Sequence, residues 1–316
     1  MKRSGILRPC LLKGGMLCFM CLLLLFPSSA LTGAKNGLLL WSGQVLPSLL
    51  PFLIISALFL SSGLSDVVAH RLAPLLSPVF CCSPSGCYAI VIGLLAGLPV
   101  GAKTIASLIE SGKITKEEGQ YLLPLCNNPS PLFILGYVSV SVLDAPNLRY
   151  PLLLIITLSS VFAAILLRPR RTASAHVTQK PDNSPKIRFS FSFLLIDAAI
   201  EQAFSVLVRV GGYIILFSVL GNLLTLLPLS PVFLACLGSF LEITTGSAAI
   251  SALSLPPGIL ISLICGFVAF GGLSTAAQTK SVLAGTNLPF AHYLLTKLVA
   301  GILAALSSFL FLSVTA

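Results

Sequence analysis

Gly97-Leu98-Pro99-Val100-Gly101-Ala102-Lys103-Thr104 and, about one helical hairpin later, Asn127-Asn128-Pro129-Ser130-Pro131 lie between long apolar runs, and their reading decides the fold. Glycine relaxes the backbone, and proline removes a donor and clashes with the preceding turn, so both runs interrupt helices. In hydrocarbon an unpaired peptide group costs several kcal/mol, so a broken helix at membrane depth is tolerated only where protein or a watery cavity covers it. Each break therefore marks a candidate site.

The surrounding composition requires a membrane. Of 316 residues, 56% are hydrophobic and only 9% charged, against about 25% charged in soluble domains. The net charge of +10 sits in short segments beside apolar spans, where it orients the chain in the bilayer and does not read as a nucleic-acid surface. Six of the nine cysteines lie singly in apolar surroundings as small hydrophobes. Cys81, Cys82 and Cys87 cluster, without the paired spacing and neighbouring histidines of a zinc site. No Walker-type phosphate loop is present, which argues against ATP coupling within the chain.

Taken in order, residues 1–35 read as a basic start and a first span over 16–31, resembling a secretory signal but expected to stay uncleaved. A second span over 38–62 opens at Trp41, a residue suited to the interface. Residues 88–111 read as two half-length helices forming a re-entrant hairpin, and 119–143 as a discontinuous span with the Asn-Asn-Pro-Ser-Pro break in its middle. Residues 152–167 close the first half. A basic linker over 169–189 carries the strongest positive-inside signal and is expected in the cytoplasm with the N-terminus. Asp197 and Glu201, four residues apart, suit an interfacial amphipathic helix before a span over 206–227.

Leu229-Ser230-Pro231-Val232-Phe233 then repeats Leu76-Ser77-Pro78-Val79-Phe80 letter for letter. After each copy come an apolar run, a break, a short helix, a second polar break and a last span. In the second half the breaks are Glu242-Ile243-Thr244-Thr245-Gly246-Ser247 and Gly271-Gly272-Leu273-Ser274-Thr275, so Gly246 pairs with Gly101 and Ser274 with Ser130. Residues 36–168 and 190–316 are thus two repeats, and the crossing count makes them inverted if 88–111 turns back on its own side. The expected fold is an all-α polytopic membrane protein with two re-entrant hairpins, discontinuous helices and about seven or eight transmembrane helices. Inverted repeats with paired broken helices are characteristic of alternating-access transporters.

At these motifs the chain resembles the sporulation integral membrane protein YlbJ (SpoVV-like) family, within the wider nucleoside-recognition or Gate-domain group. The matching residues are Leu46-Pro47-Ser48-Leu49-Leu50-Pro51-Phe52, the run from Gly97 to Lys103, Asn127 to Phe133, Leu241 to Ser247, and Gly271 to Gln278. The resemblance implies a protein of the mother-cell or outer forespore membrane of an endospore former, moving dipicolinic acid toward the developing spore. The more distant likeness to concentrative nucleoside transporters implies a similar hairpin-and-broken-helix fold.

Dipicolinate presents two carboxylates on a flat ring, and a site for it needs positive potential. Helix N-termini provide about half a charge each. Gly97, Pro99 and Gly101 shape a break after which a helix starts, with Lys103 and Thr104 in its first turn. A cation there is unfavourable by the dipole and costly at depth. An anion-binding role explains it, or a shallow hairpin from which Lys103 snorkels. Asn127, Asn128 and Ser130 can bind substrate or pair freed backbone groups, and Ser274, Thr275 and Gln278 share that reading as their repeat-mates. Glu242, among Thr244, Thr245, Gly246 and Ser247, is the candidate to bind a coupling proton or cation, or else to pair with Lys103 or Lys280. Arg209 and Lys280 are further candidates for anion attraction. No metal or cofactor is expected.

Three other readings stand beside an organic-anion transporter. A nucleoside-type solute or a non-transporting scaffold for spore assembly fits the same spans, though a scaffold needs no polar breaks. An intramembrane enzyme would need a nucleophile and base on facing helices. His70, His176 and His292 all lie near loops or span ends.

Overall fold

The computed structural model describes residues 4–62, 64–169 and 193–315. The basic linker beyond residue 169 lies outside the described residues, and with it the expected charge signal. Among the described residues every regular element is a helix, so the chain is an all-α protein.

Helix α1 (Ser4–Leu25) meets α2 (Pro27–Leu40) at Phe26 in a 101° corner, with Pro27 opening the second helix. The expected span over 16–31 is therefore cut by a bend. Helix α2 continues through a π-helical turn, Trp41–Val45, into α3 (Leu46–Ser61), so the span expected from residue 38 begins mid-helix. Helix α4 (Leu64–Phe80) turns through 96° into α5 (Pro84–Ala96), whose start is capped by the Ser83 hydroxyl, which accepts from Gly86 N.

Helices α6 (Val100–Glu110), α7 (Lys116–Cys126), a π-helix over Phe133–Val142 and α8 (Arg149–Leu166) complete the first half. The second half comprises α9 (Phe193–Leu224), α10 (Pro231–Leu241), α11 (Ile243–Ser251), α12 (Pro257–Phe270), α13 (Gly272–Val282) and α14 (Phe290–Thr315). Among the described residues, four helical stretches are long and apolar enough to cross a membrane, Pro146–Leu166, Phe193–Leu224, Pro257–Val282 and Phe290–Val314, and counting each bent pair as one span raises the number to six. The difference from seven or eight lies in the half-length helices, which end inside the protein. Leu154, Leu158 and Phe162 on α8, and Ile302, Leu306 and Phe309 on α14, expose an outward apolar stripe at helical spacing. In water that stripe would be costly; against lipid it is neutral. The chain is a multi-pass membrane protein.

Small residues let helices close on one another where hydrocarbon provides no hydrophobic drive. Gly33 and Gly37 of α2 sit against α9: a methyl group on Gly33 would lie 2.8 Å from Val219 Cα, and one on Gly37 2.9 Å from Ile215 Cα. One turn further, Trp41 lays its ring over Gly211 and donates from Nε1 to Leu207 O at 3.0 Å. Asn222 Nδ2 donates to Ser29 O at 2.7 Å at the other end of this contact. Helix α9 thus packs along α2 and α3, while α12, α14, α8 and the π-helix share the main apolar core.

Three expectations are corrected. The interfacial helix before residue 206 does not exist as a separate element: α9 runs unbroken for 32 residues, carrying Asp197 and Glu201 on the same rod as the span. The repeated pentapeptide is not structurally equivalent in its two copies. Ser230 caps α10 with Pro231 at its first turn, whereas Pro78 lies inside α4, and the matching cap in the first half is Ser83-Pro84. The second-half breaks are also shorter than expected, since Glu242 and Gly271 alone interrupt the helices and Thr244 to Ser247 are helical.

Candidate functional site

The first break is built by Gly97 and Pro99. Gly97 adopts φ 68°, ψ −154°, a conformation that essentially only glycine reaches, and ends α5. A methyl group there would also come within 2.7 Å of Ser130 N and Cα. The Leu98–Pro99 peptide is cis, and α6 starts at Val100. Leu98 N donates to Asn128 O at 2.9 Å, so one break satisfies the other, as burial in an apolar medium requires. Gly101 completes the approach, with no room for a Cβ beside the carbonyl of Cys126.

The second break explains why asparagine sits at its head. Pro129 has no N–H with which to bond the carbonyl one turn back, and the Asn128 amide supplies the missing donor, reaching Leu125 O at 2.8 Å and Pro124 O at 3.2 Å. Its Oδ1 accepts from Lys297 Nζ at 2.7 Å. Asn127 Nδ2 donates to Thr279 Oγ1 at 2.7 Å and to Tyr293 OH at 2.9 Å. Ser130 Oγ accepts from Phe133 N and opens the π-helix. Further along, Tyr137 OH donates to Thr244 O at 2.7 Å. The broken segment of the first half is thereby tied to α11, α13 and α14 of the second.

In the second half Glu242 is extended (φ −148°, ψ 122°) and its carboxylate caps α11. It accepts from Thr244 N at 2.9 Å, Thr245 N at 2.7 Å and Thr245 Oγ1 at 2.9 Å. These donors, and not Lys103 or Lys280, meet the carboxylate. The positive end of the helix dipole adds to the attraction. Gly271, at φ 93°, forms the other break, with Thr275 Oγ1 donating back to Gly271 O at 2.6 Å.

The two sets of breaks converge on a small cavity of about 60 Å³ lined by Ser130, Glu242, Thr244, Thr275 and Gln278, with Leu98, Pro129 and Phe133 among its walls. Five of the expected site residues are brought together there. Beside it, sharing Gln278, lies a larger cavity of about 370 Å³, a volume in the range of small-molecule sites. Pro99, Lys103, Glu201, Gln202, Arg209 and Tyr213 line it. Lys103 is exposed to this space, and Arg209 faces it from α9, giving two cations to one acid. Lys280, exposed in the last turn of α13, is absent from both linings.

Other expected residues do different work. Thr104 is buried and its hydroxyl donates to Val100 O within α6. Ser274 is buried and accepts from Gln278 Nε2 at 3.4 Å. Gly246 allows α11 to close on Ser239 of α10. Ser247 is buried and its Oγ has no hydrogen-bond partner, as does Asn127 Oδ1. Lys297 was not among the expected residues. It is 1% exposed in the first third of an apolar 26-residue helix, and a cation inside a span was the available signal.

Half-helices meeting end to end around a buried polar centre, with an apolar outer face, define a polytopic integral membrane protein with interrupted helices. A comparison with known proteins agrees. The chain is similar to the sporulation integral membrane protein YlbJ of Bacillus subtilis (strain 168), with 28% identity over 315 residues, covering 88% of this chain and 76% of the relative. The family resemblance carried by the motifs is thus supported over most of the chain, and the chain is a relative of YlbJ. No protein-family profile matches it, and no solved structure does.

Proposed function

We propose that this protein is a secondary transporter of a small organic anion, that it serves endospore formation in a mother-cell or outer forespore membrane, and that its solute is dipicolinic acid. The carrying observation is the pair of adjoining cavities: a large one with Lys103 and Arg209 in its walls, separated by Gln278 from a small one at the meeting point of the helix breaks. Two cations attract a dicarboxylate, and their partial exposure permits release. Tyr213 offers a face for a flat ring. The sporulation setting rests on the similarity to YlbJ. Two repeats of opposite orientation account for the matching order of half-helices, and Glu242 at their junction is the group that would take a coupling proton.

The test is uptake of labelled dipicolinate and of nucleosides into liposomes containing the purified chain, comparing wild type with Lys103→Ala and Glu242→Gln. Dipicolinate uptake is expected, with affinity weakened by the first change and coupling by the second. Uptake unaffected by both removes the site assignment, and nucleoside uptake in place of dipicolinate transfers the site to that solute class.

A further inference from the structure

We propose that α9 forms the wall of a complete solute route, with a second vestibule on the far side of the Glu242 neck. The second vestibule is a cavity of about 370 Å³ between α2, α9, α10 and α11. The inference rests on the transporter reading for the identity of the solute, but the route itself is argued from geometry alone.

The cavities follow one another along α9. Residues Ala198 to Tyr213 line the first, Val210 and Ile214 the neck, and Ser218 to Thr225 the second vestibule, the lining turning about the helix as it advances. Ser205 and Gly221, one in each vestibule, are sixteen residues apart, which on a helix is about 24 Å, most of the roughly 30 Å of hydrocarbon in a bilayer. A shared residue joins the first step, and adjacent residues of α11 join the second. Gln278 lines both the first cavity and the neck. Thr244 lines the neck and its neighbour Thr245 the second vestibule, while both bond the carboxylate of Glu242 between them.

The two vestibules differ in character. The first carries Lys103, Arg209 and Glu201; the second has no charged residue in its lining and offers Asn36, Asn222, Thr225 and Thr245. An anion is drawn into the first by charge and leaves through the second by uncharged hydrogen bonds, which hold it less firmly. At about 60 Å³, against about 370 Å³ for each vestibule, the neck is the tightest of the three spaces and is too small for a ring-bearing solute. The geometry is an occluded one, with Glu242 and Gln278 at the closure.

Sidedness of chemical modification tests this. Ser205→Cys and Gly221→Cys are made separately in the full chain, the latter where an added Cβ meets nothing within 4 Å. Each is treated with a membrane-impermeant maleimide in right-side-out and in inside-out vesicles, and the unsubstituted chain supplies the background from native cysteines. The expected result is modification of one variant from one face only and of the other from the opposite face only. Modification of both from the same face, or by lipophilic reagents alone, overturns the route, the latter because the grooves then face lipid. A Gln278→Trp change is expected to abolish flux while leaving both patterns of modification intact; unaltered flux overturns the neck. Opposite-face labelling without dipicolinate uptake refutes the anion assignment and leaves the route standing.

Discussion

Lys297 Nζ lies 2.7 Å from Asn128 Oδ1, 169 residues away in sequence, and both residues are buried. The same asparagine uses its amide nitrogen to close the end of α7, so one side chain joins the α7 break to the last helix. The two partners are not equivalent in what their loss leaves behind. Asn128→Ala leaves unmet the buried Lys297 amine and the Leu125 and Pro124 carbonyls that its amide serves, at about 1–3 kcal/mol for each unmet group. Lys297→Met leaves only the Asn128 amide oxygen unpaired, about 1–3 kcal/mol. Thermal unfolding of the detergent-solubilised variants should therefore rank Asn128→Ala as the less stable; the opposite ranking would show that the α7 end is closed by other donors.

Glycines packed at the breaks should be far less replaceable than glycines with open space around them. A Cβ on Gly101 has no space beside the Cys126 carbonyl, and Gly97 combines a positive φ with contact to Ser130. Alanine at either position should force the two first-half breaks apart, with loss of folded protein in size-exclusion profiles or of all uptake. Gly136→Ala, where nothing lies within 4 Å, is the control and should behave as wild type.

Glu242 has two separable contributions. As the cap of α11 it accepts three hydrogen bonds, and Glu242→Ala should lower stability by about 0.5–2 kcal/mol. Glu242→Gln keeps the shape and one acceptor but removes the charge, so stability should fall less while the dependence of uptake on an imposed proton gradient disappears. Gradient-dependent uptake in the glutamine variant would assign coupling elsewhere.

The two cations outside the broken segments differ in place and should differ in effect. Arg209 lines the large cavity and Lys280 does not. Arg209→Ala is expected to raise the KM for the anion by roughly tenfold or more, on a value of about 1.5–3 kcal/mol for a hydrogen bond to a charged group, and to weaken the salt dependence of uptake. Lys280→Ala should leave KM unchanged. Equal effects would mean that attraction is diffuse and not seated in the cavity.

The breaks were legible because Gly, Pro and polar residues inside apolar runs leave few alternatives, and Ser130, Glu242, Thr275 and Gln278 do meet at one cavity. What escaped notice depends on partners distant in sequence. Lys297 sits near enough to the start of its helix to read as a snorkelling residue, and only the position of Asn128 shows that it points inward. The continuity of α9 was hidden because Asp197 and Glu201 give its first turns an interfacial look, although no Gly or Pro interrupts them. The pentapeptide misled because Ser-Pro caps a helix only where the preceding chain has ended. Helix α4 runs through Pro78, which lies inside it, and the equivalent cap falls on Ser83.

The hold of Trp41 on α9 has a mechanical consequence. Its ring lies over Gly211 and its indole donates to Leu207 O, near the midpoint of a rod of 32 residues. A stiff rod gripped at its centre behaves as a seesaw: tilting it spreads the space at one end and narrows it at the other. Unbroken helix and central grip together mean that a displacement of α9 at one vestibule is returned, with opposite sign, at the other.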